Sequence, residues 1–258
     1  MRFNLLGSGS RGNATLVEFN QTRILIDCGF TLKEIESRLA TAATEPASLS
    51  AILVTHEHGD HLNGVGPLAR KYRLPVYLTA GSYLPHRLGT LPQVTTIHSH
   101  NAPFAIGELE ITPYTIPHDA KEACHYTLSN GNRRLGLLTD AGHITPHIVA
   151  HLNGCDGLIL ECNHDPQLLR QGPYPPSLQA RVGGELGHLS NQQAASLLQR
   201  LDQRPLQQLV LAHLSAKNNH PDRVREAILP VVACSAEALT IASQDHPSGW
   251  RELRQNSI

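Results

Sequence analysis

Three histidines and an aspartate lie within six consecutive positions, in the segment HEHGDH at residues 56–61. Imidazole and carboxylate groups suit zinc, manganese or iron, whereas cysteine thiolates would indicate a structural zinc site. His56 and His58 are two residues apart, so an extended backbone can direct both side chains to the same point. Asp60 and His61 can then be directed to a second point. The segment therefore predicts ligands for two adjacent metal ions.

Other ligand-type residues follow apolar, strand-like segments elsewhere in the chain. Asp27 follows RILI, His118 follows ITPYTIP, Asp140 follows LGLLT and His213 follows LVLA. In layered α/β proteins, sites gather at strand ends, where loops converge. His118, Asp140 and His213 are therefore predicted to complete the coordination of the ions. Because a carboxylate can bridge two ions, Asp140 is expected between them.

The pattern of apolar and turn residues predicts strands in the first half of the chain and alternating strands and helices in the second. Helices are predicted after Thr31, which forms a capping box with Glu34, and after Ser190, which pairs with Gln193. Further helices are predicted near residues 62–72, 145–152 and 221–229, and QGPYPPS at 171–177 is predicted to be an exposed loop. Two sheets packed face to face, with helices outside, fit this order better than a doubly wound parallel sheet.

The composition is that of a folded protein without a strong charge. The 258 residues are 40% hydrophobic and 17% charged, and the formal net charge is -1. No global basic field indicates nucleic acid, although a local basic rim is compatible with this balance. The five cysteines are scattered and form no C-x-x-C pair, which favours reduced thiols and a cytoplasmic location. No apolar run is long enough for a membrane span or a signal peptide.

HEHGDH matches the H-x-H-x-D-H signature of the metallo-β-lactamase superfamily, and the order of the other ligand-type residues matches as well. The chain resembles this superfamily from residue 1 to about residue 243. The resemblance implies a single α+β domain over residues 1–258, a four-layer αββα sandwich with two divalent ions, Zn²⁺ or Mn²⁺, at one edge. The implied ligands are His56, His58 and His118 for one ion, Asp60, His61 and His213 for the other, and Asp140 as the bridge. Asp27 would orient the signature loop through hydrogen bonds to the ligands.

Four further segments resemble the YycJ/WalJ branch of the superfamily: LLGSGSRGN, ECNHD, GHLSN and LAHLSAKNN. This branch is similar to the nuclease-type members, which include ribonuclease Z and the β-CASP nucleases. The resemblance implies a phosphodiesterase on nucleic acid, DNA or RNA, and specifically an exonuclease that trims from a 5′ end with a hydroxide bridging two ions. Only 72 residues separate Asp140 from His213, too few for a β-CASP insertion, and no long basic arm for transfer RNA is evident.

Three other functions are alternatives to the nuclease. A small-molecule hydrolase of the same fold, such as a glyoxalase-type thioesterase, a lactonase or a cyclic phosphodiesterase, would use the same hydroxide. A diiron redox protein is disfavoured, because relatives with that chemistry carry glutamate where His58 stands. A non-catalytic binding module is disfavoured because such proteins usually lose ligands, whereas all seven ligand positions are filled here.

Catalytic roles are expected for Asp60 and Asp140, which can orient the hydroxide while they remain ligands. His188 precedes a predicted helix N-terminus, a position that favours anions. It is therefore expected either to bind a substrate phosphate or to protonate the leaving group.

Six further polar residues are candidates for substrate contact. The glycine-rich segment GSGSRGN could cradle a phosphate with its backbone N–H groups, or it could be a tight turn between two strands. His164 could approach the metals or support the loops around them. The candidate residues are Ser8, Ser10, Asn13, His164, Ser215 and Asn218.

Overall fold

The computed structural model describes residues 1–98 and 102–254, which form two seven-stranded sheets. The order of the first sheet is β14-β1-β2-β3-β4-β5-β6, and its strands β3 to β6 are parallel. The strands are β1 Arg2–Gly7, β2 Ala14–Phe19, β3 Thr22–Ile26, β4 Ala51–Leu53, β5 Pro75–Thr79, β6 Gln93–Ile97 and β14 Arg251–Glu252.

Both sheets combine antiparallel and parallel strands. In the second sheet, strands β7 to β10 are antiparallel neighbours and the later strands are parallel. Its order is β13-β12-β11-β10-β9-β8-β7, and strands β10 to β13 are parallel. The strands are β7 Phe104–Ile106, β8 Leu109–Thr115, β9 Cys124–Ser129, β10 Arg134–Leu138, β11 Gly157–Glu161, β12 Gln208–Ala212 and β13 Leu239–Ile241.

Nine α-helices are found in the described part of the chain. They are α1 Leu32–Thr41, α2 Gly59–Leu62, α3 Val65–Tyr72, α4 Pro85–Leu88, α5 Pro146–Leu152, α6 Pro166–Gln171, α7 Pro176–Val182, α8 Asn191–Arg200 and α9 Pro221–Ile228. None of these helices has the length and apolar content needed to cross a lipid bilayer. All five cysteines are free.

The hydrophobic core consists of three layers, because each sheet is buried on both faces. In β11, Ile159 packs between the sheets, whereas Leu158 and Leu160 pack under the helices of the second sheet. In β3, Ile24 likewise packs between the sheets, whereas Leu25 packs in the layer under α1 and α3. Strands buried on both faces need continuous apolar runs, which explains segments such as LIL at residues 158–160 and LVLA at residues 209–212. The predicted αββα sandwich is confirmed.

Three local predictions need correction. The predicted exposed loop at 171–177 extends only from 172 to 175, because Pro176 is the first residue of α7, a position that proline favours. The helix predicted near 62–72 is found as α3, which begins at Val65 and is preceded by the separate short helix α2. Thr31 caps α1 by accepting from the Glu34 N–H, but the Glu34 carboxylate accepts from Arg38, so the capping box is incomplete. Ser190 and Gln193 do form a complete capping box. The single domain over residues 1–258 stays a prediction.

The turn after β3 packs directly on the signature loop. Gly29 lies so close to Asp60 that a Cβ at position 29 would be 1.8 Å from the Asp60 carbonyl oxygen. The same oxygen accepts a hydrogen bond from the Asn13 backbone N–H at 2.7 Å, and Cys28 N–H donates to the His61 carbonyl at 2.8 Å. Backbone contacts between three loops therefore fix the positions of Asp60 and His61.

We expect Gly29→Ala to displace the Asp60 carbonyl and to lower the free energy of unfolding by about 1–3 kcal/mol, since backbone cannot yield as a flexible side chain does. Denaturant unfolding measures the change. The control is Gly183→Ala, whose Cβ would approach the end of the Leu169 side chain at 3.2 Å. Equal stability of the two variants would contradict the proposed role of this contact.

Candidate metal centre

The candidate site lies at the edge of the sandwich where strands from both sheets end. Asp27 follows β3, Asp140 follows β10 and His213 follows β12, and all three have left-handed backbones with φ of 60°, 57° and 54°. Such φ values are uncommon for residues other than glycine, although Asp and His adopt them more readily than most. The chain thus turns sharply at each strand end.

One group of possible ligands consists of His56, His58 and His118. Their ring centroids are 4.7–4.9 Å apart, and the His118 Nε2 atom is 3.2 Å from the His58 Nδ1 atom. His56 is fully buried, and its Nδ1 atom is 3.0 Å from the Thr55 hydroxyl. Its Nε2 atom has no hydrogen-bond partner within the described part of the chain. A buried imidazole nitrogen without a partner fits a metal ion.

A second group consists of Asp60, His61 and His213. The Asp60 Oδ2 atom lies 3.5 Å from the His61 Nε2 atom and 3.7 Å from the His213 Nε2 atom. Asp140 adjoins both groups, because its Oδ2 atom is 3.4 Å from His61 Nε2 and could share an ion with His56. This Oδ2 atom is buried and has no hydrogen-bond partner among the described residues. All seven residues predicted as ligands are therefore brought together.

Asp27 lies beneath the signature loop and holds it. Its carboxylate accepts from the Thr55 backbone N–H and hydroxyl, each at 2.8 Å, and lies 2.8 Å from the His61 Nδ1 atom. The contact occupies Nδ1 of His61, so that Nε2 faces Asp60 and Asp140. This is the arrangement expected for a residue that orients a metal ligand.

The pKa values of His213 and Asp140 are shifted by the other charged groups of the cluster. Burial lowers the pKa of His213, but Asp140, Asp60 and Glu161 outweigh this effect and raise it to about 10. Burial likewise opposes charge on Asp140, yet the surrounding histidines, with His213 first, hold its pKa well below its usual range. The carboxylates are therefore ionised and need cations, and divalent ions fit this donor set.

A cleft of about 340 Å³ opens over these residues. Its floor includes Asp60, His118, Asp140, His188 and His213. One wall consists of residues from the segment around α7.

The comparisons with known proteins agree with this geometry. Residues 22–214 match the family model described as "Beta-lactamase superfamily domain". The exodeoxyribonuclease YycJ of Bacillus anthracis is 34% identical over 235 residues, which are 90% of this chain and 89% of that protein. The exodeoxyribonuclease WalJ of Streptococcus pneumoniae is 34% identical over 223 residues, 84% of this chain and 83% of that one. This chain belongs to the β-lactamase superfamily, in the YycJ/WalJ branch.

A solved structure also shows the superfamily fold. The metallo-β-lactamase fold protein YhfI of Bacillus subtilis superimposes with a TM-score of 0.75 at 18% identity, covering 97% of this chain and 99% of YhfI. The predicted resemblance to the superfamily and to its YycJ/WalJ branch is confirmed.

Glu161 belongs to the site but was not predicted. It is fully buried at the end of β11. Its Oε2 atom accepts from the backbone N–H groups of Ala141 and Leu189, and its Oε1 atom lies 3.0 Å from His188 Nδ1 and 2.9 Å from His213 Nδ1. A charged residue at the end of the otherwise apolar strand GLILE was the signal that could have identified it.

His188 lies at the cleft and is held by Glu161. Its Nδ1 atom is also 3.6 Å from Asp140 Oδ1, and its side chain is 22% exposed. Asp140, Glu161, His188 and His213 could together hold a metal ion, so the geometry alone permits His188 as a ligand or as a group that acts on substrate.

The residues proposed to bind substrate divide between the cleft and its supports. Ser10 and Ser215 line the cleft. Ser8 is buried and accepts from the His213 backbone N–H at 2.8 Å. Asn13 is also buried, with its Nδ2 atom 3.2 Å from Asp60 Oδ2 and 3.1 Å from His61 Nε2. Both residues therefore support proposed ligands through direct contacts.

Two of these candidates lie outside the cleft lining. Asn218 is fully buried, donates from Nδ2 to the Ser215 hydroxyl and packs against Gly172. His164 is 4% exposed and lines a separate groove beside α6 and α7. Both residues contact the neighbouring loops, and their role in substrate binding stays a prediction.

We expect Glu161→Gln to lower metal affinity by about 10–100-fold, the usual effect of losing a group that orients a ligand. The glutamine oxygen must face the N–H groups of Ala141 and Leu189, so its amide would point hydrogens at the two histidines. Asp156→Asn is a matched control, because Asp156 is a buried carboxylate beside the opposite end of β11 that binds Arg133. Metal titration should show a loss for Glu161→Gln alone. Unchanged affinity in this variant would remove Glu161 from the site.

Proposed function

We propose that this protein is a metal-dependent exodeoxyribonuclease that removes nucleotides from DNA ends in the 5′ to 3′ direction. The observation that supports this most strongly is the similarity to YycJ and WalJ over more than four fifths of each chain. The cleft adds a set of histidines and carboxylates suited to phosphodiester hydrolysis.

The proposed ligands follow the two groups in the site. His56, His58 and His118 would hold one divalent ion, Asp60, His61 and His213 the other, and Asp140 would contact both. Bound ions would supply Lewis acidity, lowering the pKa of a water and offsetting the charge of the phosphate.

Asp60 and Asp140 would orient the attacking water. Asp60 is suited to this role because its side chain is 23% exposed at the floor of the cleft. Its position is fixed by Asn13 and by the backbone contact with Gly29. Asp140 is almost fully buried, so it would hold the water from the side of the protein.

His188 would donate a proton to the leaving oxygen. Glu161 engages its Nδ1 atom, so Nε2 is the nitrogen left to face the cleft. Burial lowers the pKa of His188, but Glu161 and Asp140 outweigh that effect and raise it, which favours the protonated imidazole. A positively charged imidazole beside the scissile bond is suited to general acid catalysis.

An activity panel tests the function directly. DNA labelled at the 5′ or 3′ end, RNA, a cyclic phosphodiester and a thioester should be incubated with the protein and Zn²⁺ or Mn²⁺. Release of mononucleotides from the 5′ end of DNA is expected. Preferred turnover of the thioester or the cyclic substrate would replace the proposal with the small-molecule hydrolase.

We expect about two divalent ions per chain after reconstitution, since two ligand groups lie side by side and share Asp140. Elemental analysis of the dialysed protein gives the ratio. His56→Ala should lose metal and activity, whereas His147→Ala, on the exposed face of α5, should lose neither. A firm ratio of zero for the wild type would refute the metal centre.

We expect His188→Ala to keep its metal ions and melting temperature but to lose about 10²–10⁴-fold in rate on DNA, the range for a general acid. Nitrophenolate leaves without a proton, so a nitrophenyl phosphodiester should restore most of the rate. Loss of metal in this variant would instead make His188 a ligand. A large loss on both substrates would indicate phosphate binding.

A further inference from the structure

One wall of the cleft is mostly apolar. It is formed by the arm, which we define as residues 172–187, and includes Tyr174, Leu178 and Val182. The charged residue Arg181 also lines the cleft there and is paired with Asp119. Leu178 and Val182 are four apart and share one face of α7, and Tyr174 lies two residues before the helix begins. All three are partly exposed, and no residue of α7 is buried. An apolar surface here faces the cleft without serving the core.

The backbone around Tyr174 is restrained. Pro173, Pro175 and Pro176 surround it, and proline fixes φ in each case. Its carbonyl accepts from the Gln179 side chain at 2.9 Å. Gly172 approaches Asn218 so closely that a Cβ would be 2.4 Å from the Asn218 Oδ1 atom. The backbone that carries the ring therefore has little conformational freedom to lose on binding.

The arm is tied to the loop that carries His118. Arg181 Nε lies 2.6 Å from Asp119 Oδ2, and the Asp119 backbone N–H donates to the Leu186 carbonyl at 3.0 Å. The His118 Nδ1 atom is 3.3 Å from the Gly187 carbonyl oxygen. Tyr174 thus has a defined position relative to the proposed ligands.

The size of the cleft, its charged floor and its mostly apolar wall indicate which ligand it can hold. Its volume of about 340 Å³ lies at the low end of the range of about 300–1,000 Å³ for small-molecule sites. That volume suits one nucleotide and not a stacked base pair. A phosphate needs the charged floor, whereas a base needs a flat apolar surface, which an aromatic ring provides for every base.

We propose that Tyr174, with Leu178 beside it, stacks on the base of the terminal nucleotide, so that the cleft accepts this nucleotide only when it is unpaired. The inference rests on the proposed nuclease function and specifies its substrate. A paired end must release its terminal nucleotide before cleavage. Because stacking does not read base edges, the site should accept all four bases.

The test combines binding with cleavage. Calorimetry with the metal-loaded protein compares thymidine 5′-monophosphate with 2-deoxyribose 5-phosphate, which lacks the base. Wild-type protein should bind the nucleotide about 5–150-fold more tightly, the range for stacking on one aromatic ring. Tyr174→Ala should abolish the difference and Tyr174→Phe should preserve it. Tyr83→Ala is the control, because Tyr83 is exposed and lies outside the cleft lining.

Cleavage provides the second measurement. Wild-type protein should digest a duplex with a mismatched terminal nucleotide faster than a fully paired one, and an abasic terminus should raise KM. Tyr174→Ala should reduce both differences. If Tyr174→Ala still prefers the nucleotide over the sugar phosphate, or if the wild type shows no preference, the inference is overturned. If the wild type binds the nucleotide as expected but cleaves no DNA, the nuclease proposal fails, whereas the proposed stacking of Tyr174 on a base is supported.

Discussion

The concentration of negative charge at one buried edge of the sandwich is the constraint on which the rest of the site depends. Asp27, Asp140 and Glu161 are each at most 4% exposed, and Asp60 lies beside them. Buried carboxylates are unfavourable unless cations or hydrogen-bond donors compensate them. Within the chain His61 and His213 compensate them, because nearby carboxylates raise the pKa values of these histidines despite burial. Divalent ions can replace those protons, so folding prepares the centre for metal.

The fold holds this charge in place through rigid strand ends. Asp27, Asp140 and His213 each occupy the left-handed region, at a cost of about 1–3 kcal/mol for each residue. Hydrogen bonds to the same residues offset this cost: Thr55 donates to Asp27, and the Ser8 hydroxyl accepts from the His213 backbone. The glycine-rich segment at 7–13 therefore supports the ligands as well as joining β1 and β2.

The sequence allowed the sandwich and the seven clustered residues to be predicted, because both depend on local patterns. Strands buried on two faces leave continuous apolar runs, and HEHGDH places four candidate ligands at fixed spacing. Glu161 was missed because its partners, His188 and His213, are distant in sequence. Ser8 and Asn13 were expected to reach substrate, but only tertiary contacts reveal that they face the ligands from below. The start of α7 was missed because three prolines nearby favour a loop.

The floor and the wall of the cleft differ in how they are attached to the core, and this difference bears on specificity. The floor is built on strand ends that continue into buried layers, so its residues cannot change without disturbing the proposed metal ligands. The arm has no buried residue in α7 and is held mainly by Arg181, by backbone hydrogen bonds and by close packing at Gly172. Loops placed over a rigid scaffold can vary while the scaffold persists. The chemistry and the choice of substrate can therefore change independently, the first at the strand ends and the second at Tyr174 and α7.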